Sequence, residues 1–244
     1  MAKIFVTGSA DGLGQLAAQA LIAQGHEVVL HARNAERAET AMRKALGAAA
    51  VLTADLSSAG ETQKLAAAVN ALGHFDAVVH NAGVYQVAAP TLFSVNTLAP
   101  YLLTCLIGKP KRLIYLSSGM HLSGSAKLDA VKDQVSRISY ADTKLQVLML
   151  CKAFARIWPD VYANAVDPGW VPTKMGGAGA PDDLQKGYET QAWLATSDDP
   201  EVRVSGRYFF HQKEARYNPA ADDQTQQLKL LEVCREITGV TFPG

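Results

Sequence analysis

The chain has 244 residues, 48% of them hydrophobic, and its 23 Lys and Arg balance 23 Asp and Glu to a formal net charge of zero. That much apolar material excludes a disordered chain, and the charge balance excludes a general nucleic-acid binder, whose phosphate contacts require a basic excess. Cys105, Cys151 and Cys234 are widely spaced and form no ligand-like pattern with histidine, so they read as unpaired thiols and no metal site is expected.

The opening MAKIFVTGSA enters a strand and a turn at once, without a leader pattern. No apolar run is long enough to span a bilayer, so the expectation is a cytoplasmic protein with no membrane partner. Apolar runs then alternate with helix-forming stretches: KIFVT (3–7), EVVLH (27–31), AVLT (50–53), FDAVVH (75–80), RLIYLS (112–117), YANAV (162–166) and GRYFF (206–210). Near-continuous apolar strands suit a sheet covered on both faces. Between them lie segments such as GQLAAQALIAQG and ETQKLAAAVNAL, rich in good helix formers. Such β-α alternation predicts an α/β fold, a single Rossmann-type doubly wound parallel sheet with helices on both faces. No repeat or linker interrupts it, so residues 1–244 are expected to form one domain.

TGSADGLG (7–14) follows the first strand and opens the first helix. Its residues Gly8, Ser9, Asp11, Gly12, Leu13 and Gly14 would bring backbone and helix amides against a pyrophosphate. The second strand ends VVLHARNAER, with Ala32 where an NAD-selective fold carries an acid for the ribose hydroxyls, and Arg33 beside it. An arginine there matches a 2′-phosphate, which predicts NADPH in preference to NADH. The competing reading makes Arg33 and Arg37 a solvated helix start, although cations there oppose the helix dipole.

YADTK (140–144) puts a phenol and an ammonium one helical turn apart, which alone decides nothing. Together with NAG at 81–83, SS at 117–118 and DPG at 167–169, the chain resembles the short-chain dehydrogenase/reductase family along essentially its whole length. Its end, GRYFFHQKEARYNPAADDQTQQLKLLEVCREITG, and the long interval from Ser118 to Tyr140 resemble the retinol-dehydrogenase-like branch.

The resemblance implies a catalytic set of Asn96, Ser118, Tyr140 and Lys144. Tyr140 would exchange a proton with the substrate oxygen, and Ser118, with Ser117 the neighbouring alternative, would hydrogen-bond that oxygen. Lys144 would hold the nicotinamide ribose, and Asn96, in SVNTLAPYLL, would support a water relay. A phenol near pKa 10 is a poor acid-base group at neutral pH, and a neighbouring ammonium is expected to lower that value. The resemblance also implies cofactor contacts from Asp55 and Leu56 at the adenine, from Asn81, Ala82 and Gly83 after the fourth strand, and from Pro168, Gly169, Val171 and Thr173 in DPGWVPT. Two departures stand out: the interval from NAG to Asn96 and the stretch LLTCLIGKPKRLIY are both short for the branch.

Six scattered histidines lack metal-like spacing, and His121 is the one close enough in sequence to Ser118 to touch substrate. Glycines in GWVPTKMGGAGAPDDLQKGYE suggest a mobile lid. LQVLMLCKAFARIW (145–158) is apolar on nearly every side, which predicts a homodimer through helix 140–158, or else deep burial. The expected activity is NADPH-dependent reduction of an apolar ketone or aldehyde, reversible as an alcohol dehydrogenase. Tyr85, Met120, Trp170 and Met175 are expected to line the pocket, and the substrate is not named by the fold. The alternative is an NADP-binding redox sensor without turnover.

Overall fold

The computed structural model describes residues 1–126, 128 and 135–242. Strands β1 (Lys3–Val6), β2 (Glu27–Ala32), β3 (Ala50–Thr53), β4 (Ala77–His80), β5 (Arg112–Leu116), β6 (Tyr162–Asp167), β7 (Tyr208–Phe210) and β8 (Lys213–Glu214) form one sheet in the order β3-β2-β1-β4-β5-β6-β7-β8. All neighbouring pairs are parallel except β7 with β8. The seven expected strands are in place. β8 was not expected, because the mirror-image turn that makes it uses His211 and Gln212 at φ 49 and 61, where glycine or asparagine would have signalled a hairpin.

Side chains leave a strand alternately to its two faces. Phe5 therefore enters the layer shared with α3 (Ala59–Ala71), α5 (Ala99–Leu106), α6 (Tyr140–Ile157) and α8 (Gln224–Thr238), while Ile4 and Val6 pack beneath α1 (Gly12–Ala23), α2 (Ala35–Lys44) and α7 (Leu184–Thr196). Strand order reverses between β1 and β4, which opens a crevice at the carboxyl ends of the strands. Among the described residues no helix is long and apolar enough to cross a membrane.

α4 (Ala89–Phe93) continues into α5 through a π-helical turn, Ser94–Leu98. Proline has no N–H to give and its ring meets the carbonyl four residues back, so Pro100 prevents a regular turn at Asn96 and the helix widens there. α6 is buried on nearly all sides, but its second apolar side is covered within the same chain: Leu230, Leu231, Val233 and Cys234 of α8 share its core layer. The apolar pattern that suggested a homodimer through helix 140–158 is thus met by deep burial under α8.

Candidate active site

The crevice is a cleft of about 410 Å³ whose walls come from the loops after β1 to β6. At its floor, Gly8 has φ +63, and a Cβ there would stand 2.9 Å from Ala82 Cα. A Cβ on Gly14 would stand 2.2 Å from Asn81 Nδ2, which donates to the Thr7 carbonyl at 2.9 Å. Glycine is required at both positions by close approach of the NAG segment. Asp11, at the N-cap of α1, makes no side-chain cap; its carboxylate instead reaches Arg37 at 2.7 Å and Lys174 at 3.6 Å. With no acid in the first turn, the leading amides of α1 are left to meet an anion.

The glycine turn is held from behind by a residue without a place in the sequence reading. His31 Nδ1 accepts from Gly8 N–H at 2.9 Å and Nε2 pairs with the Ala54 carbonyl at 3.0 Å, so the neutral ring ties the glycine turn to the loop after β3. Burial pulls its pKa down to about 4, which keeps it neutral. At the end of the cleft beside β2 and β3, Ala32, Arg33, Asp55 and Leu56 line the wall. Two hydrogen bonds from Ser57, with help from Arg33, hold the Asp55 carboxyl below its ordinary pKa.

At the other end of the cleft stand Tyr140 and Lys144. Ser139 and Asp142 form a capping box that starts α6 at Tyr140, so residues 140 and 144 face the same way. Lys144 is 4% exposed; its Nζ donates to the Leu116 carbonyl at 2.8 Å and lies 5.5 Å from the Tyr140 ring centroid. Ser118 is the polar side chain that opposes the effect of burial on the Tyr140 phenol, and the Tyr140 ring packs edge-on against Tyr85 at 4.8 Å. Ser117 is turned inward, donating to the Lys144 carbonyl at 2.8 Å.

Contrary to the expectation from spacing, the phenol is not acidified here. Burial pushes Tyr140 up to about 12, against the opposing hydrogen bond from Ser118, and burial pulls Lys144 down to about 8. Desolvation disfavours the charged form of each group, so the ammonium is itself weakened as a partner. Asn96 is buried, with Oδ1 accepting from Val84 N–H at 2.8 Å and Nδ2 donating to Val84 O at 3.1 Å and Thr143 Oγ1 at 3.0 Å. Thr143 donates to the Tyr140 carbonyl at 2.8 Å, which makes it a link missed from the sequence.

Gly8, Asp11, Gly12, Leu13, Gly14, Asn81, Ala82, Gly83, Pro168 and Thr173 line the cleft as expected. Ser9, Gly169 and Val171 do not. Ser9 is buried behind the turn, donating to Val6 O at 2.8 Å and accepting from His31 N–H at 2.9 Å. Val171 is packed into the interior and Gly169 sits against Asp182. The glycine-rich stretch after β6 is tied at its base, with Trp170 N–H donating to Asp182 Oδ2 at 2.6 Å and Trp170 Nε1 to Gly176 O at 2.7 Å. His121 is buried, turned away from the cleft mouth towards Tyr208 and Asn218.

Residues 2–183 match the short chain dehydrogenase family. The chain is 44% identical to "Uncharacterized oxidoreductase AN7799" of Emericella nidulans and 39% identical to "Short-chain dehydrogenase chyC" of Penicillium rubens, each match covering 100% of both chains. It is 27% identical to "Retinol dehydrogenase 14" of Homo sapiens, over 97% of this chain and 86% of that one. Among solved structures, an uncharacterised protein from Mycobacterium paratuberculosis superposes with TM-score 0.85 at 22% identity, over 100% of this chain and 96% of the other. A blue fluorescent protein from a metagenomic library, in complex with NADPH, superposes with TM-score 0.72 at 21% identity, over 86% and 95%. A glycine turn at the head of α1, a cleft at the strand-order reversal and a Tyr-Lys pair at its end define a dinucleotide-dependent oxidoreductase fold. The chain belongs to the short-chain dehydrogenase family and is an oxidoreductase of that family.

Proposed function

We propose that the protein is an NADPH-dependent reductase of an apolar ketone or aldehyde, reversible as an alcohol dehydrogenase, with residues 1–244 acting as one domain. The observation that carries this reading is the Tyr140–Lys144 pair at the end of a cleft whose far wall holds Arg33 without a neighbouring acid at position 32.

The cleft fits a dinucleotide: α1 amides and the glycine turn would take the pyrophosphate, Arg33 the 2′-phosphate, Asp55 and Leu56 the adenine side, and Lys144 with Thr173 the nicotinamide half. When bound, that cofactor supplies the hydride. The chain's own residues handle the proton. Ser118 holds the substrate oxygen beside the phenol, and Tyr140, kept protonated through the neutral range by its burial, donates to that oxygen. Lys144 then stabilises the phenolate that remains. Asn96 braces Thr143 and Val84 and so holds the backbone beneath Tyr140 and beside Gly83; the water relay is the role that the family resemblance implies for it.

Tyr85, packed on Tyr140, and Met175, in the cleft wall, are exposed apolar side chains that favour an apolar substrate, whereas Met120 and Trp170, also expected in the pocket, are not part of the cleft lining. The relative bound to NADPH supports the choice of cofactor. A redox sensor without turnover has no observation in its favour, since Ser118, Tyr140, Lys144 and Asn96 are all retained. The test is NADPH oxidation with a panel of hydrophobic aldehydes and ketones, with Tyr140→Phe in parallel. Turnover that disappears in the variant supports the reading; NADPH binding without turnover on a broad panel overturns it.

A further inference from the structure

The turn that carries Ser118 is fastened from two sides. After β5 the chain makes a 3-10 turn, Gly119–Ser123, with Ser118 at its N-cap accepting from Met120 N–H at 3.3 Å. Turns of this kind are poorly hydrogen-bonded internally and take their shape from their surroundings. On the α6 side, a Cβ on Gly124 would stand 2.5 Å from the Ala141 carbonyl oxygen, and Ser125 N–H donates to Asp142 Oδ1 at 2.7 Å.

The opposite side is closed by the C-terminal segment. Asn218 Nδ2 donates to the carbonyls of Gly124, Leu122 and His121 at 3.1, 3.3 and 3.4 Å. Asn218 N–H donates to His121 Nε2 at 3.1 Å, which places the ring proton of neutral His121 on Nδ1. Nδ1 lies 2.7 Å from the Ser118 carbonyl and therefore donates to it. His121 is fully buried, with its ring tilted against Tyr208 at 4.7 Å. The segment itself is anchored to α6, where Lys152 Nζ lies 2.7 Å from Asp222 and 4.0 Å from the Tyr217 ring centroid.

We propose that His121 and Asn218 are positioning residues that hold Ser118 against Tyr140, so that a segment outside the stretch matching the family, 2–183, sets the geometry of the site. Its kinetic consequence rests on the role given to Ser118 above. The bonds converge on the main chain of the residue that bears the hydroxyl: fixing the Ser118 carbonyl fixes the direction of its Cβ, and the Met120 N–H bond to Oγ selects the rotamer.

Two substitutions separate the two ring nitrogens. His121→Asn keeps an amide donor near the Nδ1 position, whereas His121→Gln reaches the Nε2 position and loses the bond to Ser118. In His121→Gln and Asn218→Ala, amide exchange across 117–124 is expected to quicken about tenfold while NADPH affinity stays within about twofold. Their kcat for the carbonyl that the wild type reduces is expected to fall about tenfold with the KM for NADPH unchanged, and His121→Asn to stay within about threefold of wild type. Unchanged kcat in His121→Gln and Asn218→Ala, or equal losses in both His121 variants, would overturn the proposal. Wild-type protein labelled with ¹⁵N-histidine supplies a readout free of turnover and of variant folding: an Nδ1–H tautomer for His121 supports the clamp, and an Nε2–H tautomer sinks it. If the wild type binds NADPH but reduces no carbonyl, the functional reading fails, and the tautomer and exchange results still decide the clamp.

Discussion

Ser117 and Lys144 are joined back to back: Ser117 Oγ donates to the Lys144 main-chain carbonyl at 2.8 Å, while Lys144 Nζ donates to the carbonyl of Leu116 at 2.8 Å. β5 and α6 are stapled on both sides of the cleft floor, and the hydroxyl of Ser117 is consumed in the staple. Of the two adjacent serines, Ser118 is the one whose hydroxyl is not spent on the staple and which acts on the Tyr140 phenol. Ser118→Ala is expected to lower kcat about a hundredfold with little change in stability. Ser117→Ala is expected to keep most of the activity and cost about 1 kcal/mol, because it leaves a buried carbonyl short of a donor. Steady-state kinetics and urea unfolding of both variants check the pair; the reverse pattern would make Ser117 the substrate-facing residue.

Lys144 is buried with one carbonyl as its hydrogen-bond partner and Asp167 as a favourable nearby charge, and burial still pulls its pKa down to about 8. Between about 8 and the ordinary 10.5 the unfolded chain binds a proton that the folded chain does not, so this residue lowers stability fully below pH 8 and less as pH rises through that window. Lys144→Met is therefore expected to raise the stability of the cofactor-free protein at pH 7 by roughly 1–3 kcal/mol while abolishing turnover. Thermal unfolding at pH 7 and pH 10 measures it, and a variant less stable than wild type at pH 7 would show that the ammonium has a partner the geometry does not reveal.

Arg33 lines the adenosine end of the cleft, and Arg37 beside it is engaged with Asp11. Arg33→Ala is expected to weaken NADPH binding about 10- to 100-fold and to leave NADH within about threefold, as befits loss of a charge-assisted bond to phosphate. Fluorescence titration with both cofactors decides this. Equal losses would assign Arg33 to the adenine ring instead, and a wild type that prefers NADH would remove the phosphate assignment altogether.

His31 and His80 are both carried neutral into the interior, with burial pulling them from 6.5 down to about 4 and about 3. Below 6.5 the unfolded chain takes up protons that the folded chain refuses, so stability is complete above that pH and declines as the pH falls to about 4 and about 3, respectively. Each histidine contributes a slope of at most about 1.4 kcal/mol per pH unit. His80 Nε2 pairs with Thr104 while Nδ1 has no partner, and its ring stacks on Tyr115. His80→Phe is accordingly expected to lower the slope measured by urea unfolding between pH 6.5 and pH 4.5 by up to about 1.4 kcal/mol per pH unit, leaving the contributions of His31, His121 and His26, which are also depressed by burial. An unchanged slope would place the acid sensitivity elsewhere.

Leu231 of α8 is fully buried in the apolar layer shared with α6. Leu231→Ala is expected to cost about 2–5 kcal/mol in unfolding, with no change in molar mass by light scattering. A change in mass at unaltered stability would mean that this layer faces a second subunit.

The order of strands and helices was legible because parallel strands buried on both faces read as apolar runs, and because glycines at 8, 12 and 14 mark one turn between strand and helix. The Tyr140–Lys144 pair was legible for the same local reason: a capped helix sets residues four apart on one face. Burial was not legible, and it reversed the expected tuning, since the phenol and the ammonium are both desolvated by elements far away in sequence. Ser9, Gly169 and Val171 sit in the right motifs but face the interior or a neighbouring loop, a matter of side-chain direction that spacing does not encode. The sequence by itself determined the alternation of strands and helices, the glycine turn and the spacing of the phenol and the amine, all of which are written in local pattern. Only the tertiary structure decided that α8 covers α6, that His31 braces the glycine turn and that Asn218 reaches back to the Ser118 turn, because each of these is a contact between segments separated by tens of residues.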